Sequence, residues 1–274
     1  MPPDAPRVLI TGGGSGIGRA LAIEASRSGA EVAICGRRAD ALEETANLTQ
    51  SPSKVLAIQA DLTIPSDRAY VINAVAHHWG SLDILVNNAG IVEGGAHESL
   101  DDAATERMFA TNVLAPMALT RCAFPLLMAR PGRQRRVVNI GSVFGDIAYP
   151  EFAAYSASKF ALRGFSSALS REWRAHGIDV TYAAPRATRT DAAAAFSSLI
   201  EKGGMSLDTP DAVARRIWSA IRTGRRRVYP AGPERFFILL QSLAPSLVDR
   251  ALSVKPAKTA AASPSPITTQ GSRS

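Results

Sequence analysis

Arg7-Val8-Leu9-Ile10-Thr11-Gly12-Gly13-Gly14-Ser15-Gly16-Ile17-Gly18 runs from a short apolar segment through a glycine-rich turn into a stretch of helical periodicity, Ile17 to Ser28. The same alternation continues outward. Val32 to Ile34, Val55 to Ile58, Ile84 to Val86, Val137 to Ile140 and Ile178 to Tyr182 read as further strands, with a helix over Ser66 to Trp79. These runs are apolar without alternation, so both faces of each strand should be covered. Strand, helix, strand repetition then predicts a single α/β domain, a Rossmann-type doubly wound parallel sheet with right-handed crossovers.

Beyond about residue 185 the pattern changes. A helix is expected over the Ala-rich stretch Asp191 to Lys202, another from Thr209-Pro210-Asp211 to about Ile221, and a short strand at Val228-Tyr229. The last apolar segment, Glu234 to about Val254, should break or kink at Pro245. The domain is expected to span 1–255, and 256–274, rich in Ser, Thr, Pro and Ala, reads as a disordered tail.

The 274 residues are 46% hydrophobic, which suits a well-filled core. Cys35 and Cys122 lie in apolar stretches with no paired-cysteine spacing, so both are expected reduced and buried, without a metal, in a cytoplasmic protein. No signal peptide is visible. The apolar run from Phe236 to Leu240, continuing through Leu243 and Ala244, is interrupted by Gln241 and Ser242 and falls short of the ~20 residues a spanning helix needs. A net charge of +7 raises nucleic acid as a partner. The excess is local, in Arg133, Arg135 and Arg136 and in Arg222, Arg225, Arg226 and Arg227, without interleaved aromatics; these read as solvated loop arginines and no nucleic-acid partner is expected.

Where an apolar strand enters a glycine-rich turn and then a helix, missing side chains let the backbone N–H groups and the helix N-terminus approach a pyrophosphate. Dinucleotide binding is therefore expected. At the end of the second strand a 2′-hydroxyl would call for an acid, but the chain reads Cys35-Gly36-Arg37-Arg38. Two guanidiniums suit a 2′-phosphate, which favours NADPH over NADH. Asp61 either accepts from the adenine amino group or caps its own turn with Thr63.

Tyr155-Ser156-Ala157-Ser158-Lys159 places a phenol and an ammonium one helical turn apart. A phenol with the ordinary pKa of about 10 is a poor base at neutral pH, and a cation beside it should lower that value. Ser142, at the end of the strand Val137 to Ile140, could present its hydroxyl to the same substrate oxygen.

Thr11-Gly12 to Gly16 and Gly18, Asp61, Asn87-Asn88-Ala89-Gly90, Asn112, Ser142, Tyr155 with Lys159, and Thr190 resemble, in order and spacing, the short-chain dehydrogenase/reductase family over roughly residues 6 to 230. The resemblance implies that Tyr155 exchanges the proton, Ser142 polarises the substrate carbonyl, and Lys159 binds the nicotinamide ribose and depresses the Tyr155 pKa. It implies that Asn112 anchors a relay water, the alternative being a polar residue that bends its helix, and that Asn88, Ala89 and Gly90 wall the adenine ribose and help fix the fourth strand. The expected cofactor-contacting set is Gly12, Gly14, Ser15, Gly16, Ile17, Gly18, Arg37, Arg38, Asp61, Leu62, Asn88, Ala89, Gly90, Tyr155, Lys159, Pro185, Thr188 and Thr190. One departure stands out: similar proteins read Pro-Gly where this chain reads Pro185-Arg186. Arg186 either meets an anionic substrate group or the cofactor pyrophosphate, or points to solvent.

These readings together predict an NADP(H)-dependent oxidoreductase interconverting a ketone and a secondary alcohol, with a non-catalytic NADPH sensor or scaffold as the alternative. Phe196, Leu199 and Ile200, with Phe144, Ile147, Tyr149 and Phe152, should line an apolar pocket for a hydrophobic or lipid-like substrate. The segment after Glu234 continues the core, packs on a second subunit, or lies on a bilayer with Arg235, Arg250 and Lys255 at headgroup level. Resemblance implies a homodimer or homotetramer built through the helices that carry Asn112 and Tyr155.

Overall fold

The computed structural model describes residues 5–197, 199 and 207–253. Strands β1 (Arg7–Thr11), β2 (Glu31–Gly36), β3 (Val55–Gln59), β4 (Ile84–Asn87), β5 (Arg135–Ile140), β6 (Ile178–Ala183) and β7 (Arg227–Val228) form one seven-stranded sheet in the order β3-β2-β1-β4-β5-β6-β7. Every pairing is parallel. Side chains alternate across a strand, so two cores result. Val8, Ile10, Val32 and Ile34 face α1 (Gly16–Arg27) and α7 (Pro210–Arg222), while Leu9, Ala33, Leu85 and Val137 face α3 (Pro65–Trp79) and α5 (Ala115–Met128). Helices on both faces account for the unbroken apolar strands. The strand order reverses between β1 and β4, and the crevice outside their C-terminal ends is where such sheets bind ligands.

The remaining helices are α2 (Ala39–Asn47), α4 (Asp102–Phe109), α6 (Ala153–Glu172), α8 (Glu234–Leu243) and α9 (Pro245–Leu252). Thr209 caps α7, its hydroxyl accepting from the Ala212 N–H at 3.3 Å with Pro210 in the first turn. The break at Pro245 divides α8 from α9. Tyr229 lies outside β7, and its hydroxyl donates to Asp146 at 3.0 Å.

Four expectations are corrected. The Ala-rich stretch opens as a 3₁₀ segment over Asp191–Phe196, where Phe196 docks onto Phe152 with rings 5.0 Å apart, and only Ser197 and Leu199 beyond it are seen as α-helical. Ile200, Lys202, Val254, Lys255 and 256–274 lie outside the described residues. Arg136 is no solvated loop residue: it is 0% exposed within β5, donating to Thr181 Oγ1 and pairing with Asp179, both at 2.7 Å. Cys122 is exposed on α5, while Cys35 is buried. Among its described residues the C-terminal segment does not continue the core: of their large apolar side chains only Val248 is buried, whereas Phe236 is 63% and Leu243 76% exposed. Among the described residues no helix is long and apolar enough to cross a membrane, and no His, Cys, Asp and Glu cluster could hold a metal.

Candidate active site

The glycine loop is fixed by its backbone. Gly12 (φ +64°) and Gly16 (φ +54°) take left-handed conformations that favour glycine. A Cβ at Gly18 would lie 2.1 Å from the Gly12 carbonyl oxygen, so α1 can close on the loop only without one. The end of β4 is stapled to the same loop. Backbone N–H groups of Asn88 and Ala89 both donate to Thr11 Oγ1 at 2.9 Å, and Asn88 Nδ2 donates to the carbonyls of Thr11 (2.9 Å) and Gly12 (3.3 Å).

A cavity of about 360 Å³ runs along the C-terminal edge of the sheet and is lined by every residue expected at the site except Gly18 and Asn112. Gly18 lies beneath the loop, against Gly12, and Asn112 lies behind the wall. At one end Arg37 and Arg38 leave β2 exposed, next to Gly36 where an acid would otherwise stand. Asp61 Oδ1 accepts from the Thr63 N–H (2.9 Å) and hydroxyl (2.7 Å), closing its own turn. Partial burial would raise the Asp61 carboxyl, but these bonds and the charge of Arg37 outweigh it and hold it below the usual carboxylate value.

At the other end, α6 carries Tyr155 and Lys159 into the cavity, both buried. Tyr155 and Ser142 both line this end of the cavity, close enough for Ser142 to favour the Tyr155 phenolate, and Ser142 Oγ accepts from the Phe144 N–H at 3.1 Å. Lys159 Nζ stands 5.7 Å from the Tyr155 ring centroid and donates to the Ile140 carbonyl at 3.2 Å. Burial pushes the phenol up to about 12, against the pull of Ser142, and pushes Lys159 down to about 8. The expected lowering of Tyr155 by its neighbouring cation is therefore reversed in the protein alone: desolvation disfavours both charged forms. At neutral pH the phenol is a proton donor.

Asn112 lies in a π-helical segment, Ala110–Leu114, of the kind that recurs at functional sites. Its Oδ1 accepts from the Ile91 N–H at 2.8 Å, while Nδ2 donates to the Ile91 carbonyl (2.9 Å) and Ser158 Oγ (3.0 Å), so both amide hydrogens are committed to protein. Gly90 faces both this amide and Lys159. A Cβ there would stand 3.1 Å from Asn112 Oδ1 and 3.4 Å from Lys159 Nζ.

Arg186 follows neither expected course. It borders the cavity, but its guanidinium pairs with Asp208 at 2.6 Å and with Glu234 at 2.8 Å. Arg216 reaches the other Asp208 oxygen at 3.4 Å. Thr188 and Thr190 continue from Arg186 into the cavity, and a Cβ on Gly16 would lie 2.8 Å from Thr190 Cγ2.

Of the described residues expected to line an apolar pocket, Phe196 alone borders the cavity; Phe144, Tyr149 and Phe152 pack behind it as an aromatic cluster. Phe144 stacks on Tyr149 with centroids 5.0 Å apart, Phe152 on Phe196, and Phe196 meets Tyr155 edge-on at 6.3 Å. Leu199 is buried with them and Ile147 is half-buried. Sequence reasoning missed the support behind Ser142. Tyr182 donates its hydroxyl to the Ser142 carbonyl at 3.2 Å, and Cβ atoms on Gly141 and Gly145 would fall 2.3 Å and 2.4 Å from that phenol oxygen. Beside it the buried Asp146 accepts from Tyr229 and pairs with Arg163 at 3.2 Å; burial raises its carboxyl despite that cation. The glycines flanking Ser142 were the available signal.

A family model described as short chain dehydrogenase matches residues 6–199. The chain belongs to this family of oxidoreductases. Short-chain dehydrogenases similar to it include Dehydrogenase/reductase SDR family member 7B of Bos taurus, 33% identical over 266 residues, 92% of this chain and 81% of that one. Among solved structures, a 3-ketoacyl-(acyl-carrier-protein) reductase from Brucella melitensis complexed with NADH is 26% identical with a TM-score of 0.76, covering 82% and 96% of the two chains. An actinorhodin polyketide ketoreductase variant with NADPH is also 26% identical, with a TM-score of 0.77 over 84% and 97%. This short-chain dehydrogenase thus has ketoreductases among its neighbours, and these hold either nicotinamide dinucleotide.

Proposed function

We propose that the protein is an NADP(H)-dependent ketoreductase acting on a hydrophobic, lipid-like ketone, with Tyr155 as the proton donor. The observation that carries this reading is that Tyr155, Ser142 and Lys159 line one end of a cavity whose other end is the glycine loop and Arg37-Arg38. Room for a dinucleotide is set by glycines whose Cβ atoms would strike the loop's own backbone and Thr190. Bound there, NADPH would supply the hydride. The α1 N-terminus and loop N–H groups suit its pyrophosphate, and Arg37 and Arg38 its 2′-phosphate.

The chain's own residues do the rest. The Ser142 hydroxyl, held beside Tyr155, donates a hydrogen bond to the substrate carbonyl oxygen and so favours negative charge developing there. Tyr155, protonated at neutral pH, gives that oxygen its proton. Lys159 holds the ribose side of the cavity, and its charge stabilises the phenolate left behind. Phe196, with Phe144 and Phe152 packed behind it, gives this end of the cavity an apolar face that suits an apolar substrate chain, in keeping with the acyl and polyketide ketoreductases among the solved neighbours. Exposed Leu114 and Met117 at α5 and Phe160 on α6 suit assembly into a homo-oligomer through these helices.

Titration with NADPH and NADH, followed by turnover against 3-oxoacyl thioesters and hydrophobic ketones, tests the reading. NADPH should bind more tightly by tenfold or more, and Tyr155→Phe should keep that affinity while losing about 10²–10⁴ in turnover. Undiminished turnover in that variant would overturn the mechanism.

A further inference from the structure

Arg186 stands where the resemblance leads one to expect glycine, and its partners come from two separate parts of the chain. Asp208 is the residue at which the chain returns from the Asp191–Phe196 segment, and Glu234 lies in the first turn of α8. Around the ion pairs the two stems are joined through their backbones: Thr188 and Asp208 form a parallel bridge, the Asp208 N–H donates to the Ala187 carbonyl at 3.1 Å, and the Arg189 N–H donates to the Asp208 carbonyl at 2.9 Å. The space for the second pair is built in. A Cβ on Gly232 would fall 2.3 Å from Glu234 Oε2 and 3.2 Å from Arg186 Nη1, so the guanidinium and carboxylate pack directly on that backbone.

What this clamp holds is the wall of the cavity. Thr190 abuts Gly16 of the glycine loop, and Phe196 meets Tyr155 edge-on. We propose that Arg186 is a positioning residue: through Asp208 and Glu234 it fixes residues 187–196, so that Thr188 and Thr190 stand against the cofactor and Phe196 against the acid Tyr155, and it touches neither cofactor nor substrate. The consequence for the cofactor rests on the function proposed above; the clamping of 187–196 does not. A bidentate fork joined to two carboxylates of different elements sets orientation as well as distance, which a lysine ammonium cannot reproduce.

Backbone hydrogen exchange and NADPH fluorescence titration of the full chain, for Arg186→Met, Arg186→Lys, Asp208→Asn and Gly232→Ala, separate the outcomes. Gly232→Ala displaces the Glu234 carboxylate without touching either pair's own residues. Arg186→Met should speed exchange across 187–196 by about tenfold or more while amides of β1, β4 and β5 keep their protection, and should weaken NADPH by roughly threefold to tenfold, with Arg186→Lys intermediate. Asp208→Asn should reproduce this, and the double variant should add little to either single one, because the residues act as a unit. Gly232→Ala should give a smaller change of the same kind. Unchanged exchange in Arg186→Met would overturn the clamp. Weaker NADPH binding in Arg186→Met but undiminished binding in Asp208→Asn would instead assign Arg186 to direct cofactor contact. Uniformly faster exchange would reduce the clamp to general stability. The exchange result stands even if Tyr155→Phe should retain turnover, so failure of the clamp and failure of the proposed reaction are distinguishable.

Discussion

The glycine-loop side of the cavity and the side that follows β6 are held by different forces. On the first, backbone N–H and carbonyl groups of Thr11, Gly12, Asn88 and Ala89 bond to one another through short neutral side chains. On the second, three charged side chains, Arg186, Asp208 and Glu234, join elements distant in sequence. The staple of Thr11 and Gly12 to the end of β4 is intolerant of a single methyl group and holds no titrating group, although the Gly14 carbonyl beyond it is held by Arg19, itself paired with Glu44 at 2.7 Å. A wall made of ion pairs should behave the other way.

The sharpest way to break that contrast is Gly18→Ala. With the new Cβ driven against the Gly12 carbonyl, the loop or α1 must shift, at a cost of about 1–3 kcal/mol in stability, and NADPH affinity should fall by 100-fold or more in titration. Replacing both Arg37 and Arg38 by Ala should weaken NADPH by roughly 10- to 100-fold and leave NADH nearly unchanged, in line with about 1.5–3 kcal/mol for hydrogen bonds to charged groups. Equal losses for both cofactors would remove these arginines from 2′-phosphate recognition. Tyr182→Phe removes one of two donors to the Ser142 carbonyl, the Gly145 N–H at 2.9 Å remaining; about 0.5–1.5 kcal/mol of stability and a several-fold drop in kcat are expected, with NADPH affinity kept.

The pH dependence separates the two sides more gently. Burial raises the Asp208 carboxyl, but its bonds to Arg186 and Arg216 outweigh this and leave it below the ordinary value. A depressed acid contributes stability above its unfolded pKa of about 4 and loses it as the pH falls through the folded one, so exchange protection of 187–196 should fade in acid. The bonds among Thr11, Gly12, Asn88 and Ala89 contain nothing that titrates there. Lys159 acts in the opposite sense: its folded pKa, about 8, lies below its ordinary 10.5, so the unfolded chain binds the extra proton between these values and stability should rise with pH across that window. Tyr155, pushed up to about 12 from 10.0, takes stability away as the pH climbs above 10.0. Denaturant melts of the cofactor-free protein against Lys159→Met would show whether that rise belongs to this lysine.

The same contrast explains which features are legible in the sequence alone. Strands, crossovers and the glycine loop are local patterns, with strand, turn and helix contiguous from Arg7 to Arg27, and Tyr155 and Lys159 share one helical turn. Arg186 finds its partners 22 and 48 residues away, and no local pattern specifies which carboxylate a folded chain brings back. Arg136 misled for the same reason. Three arginines near one turn look solvated until β6 sets Asp179 and Thr181 beside β5. The Ala-rich stretch has helical composition, but it opens as a 3₁₀ segment where Phe196 meets a ring 44 positions earlier in the chain, that of Phe152.

Cys35 ends up directly behind the glycine loop: its carbonyl accepts from the Gly13 N–H at 3.1 Å, and burial pushes its thiol up to about 12, whereas Cys122 is exposed. The two thiols therefore count opening events. A thiolate reagent should take one equivalent rapidly from the native protein and a second only when the β1–β2 region opens, so the slow phase times the cofactor cradle coming apart, and saturating NADPH should lengthen it.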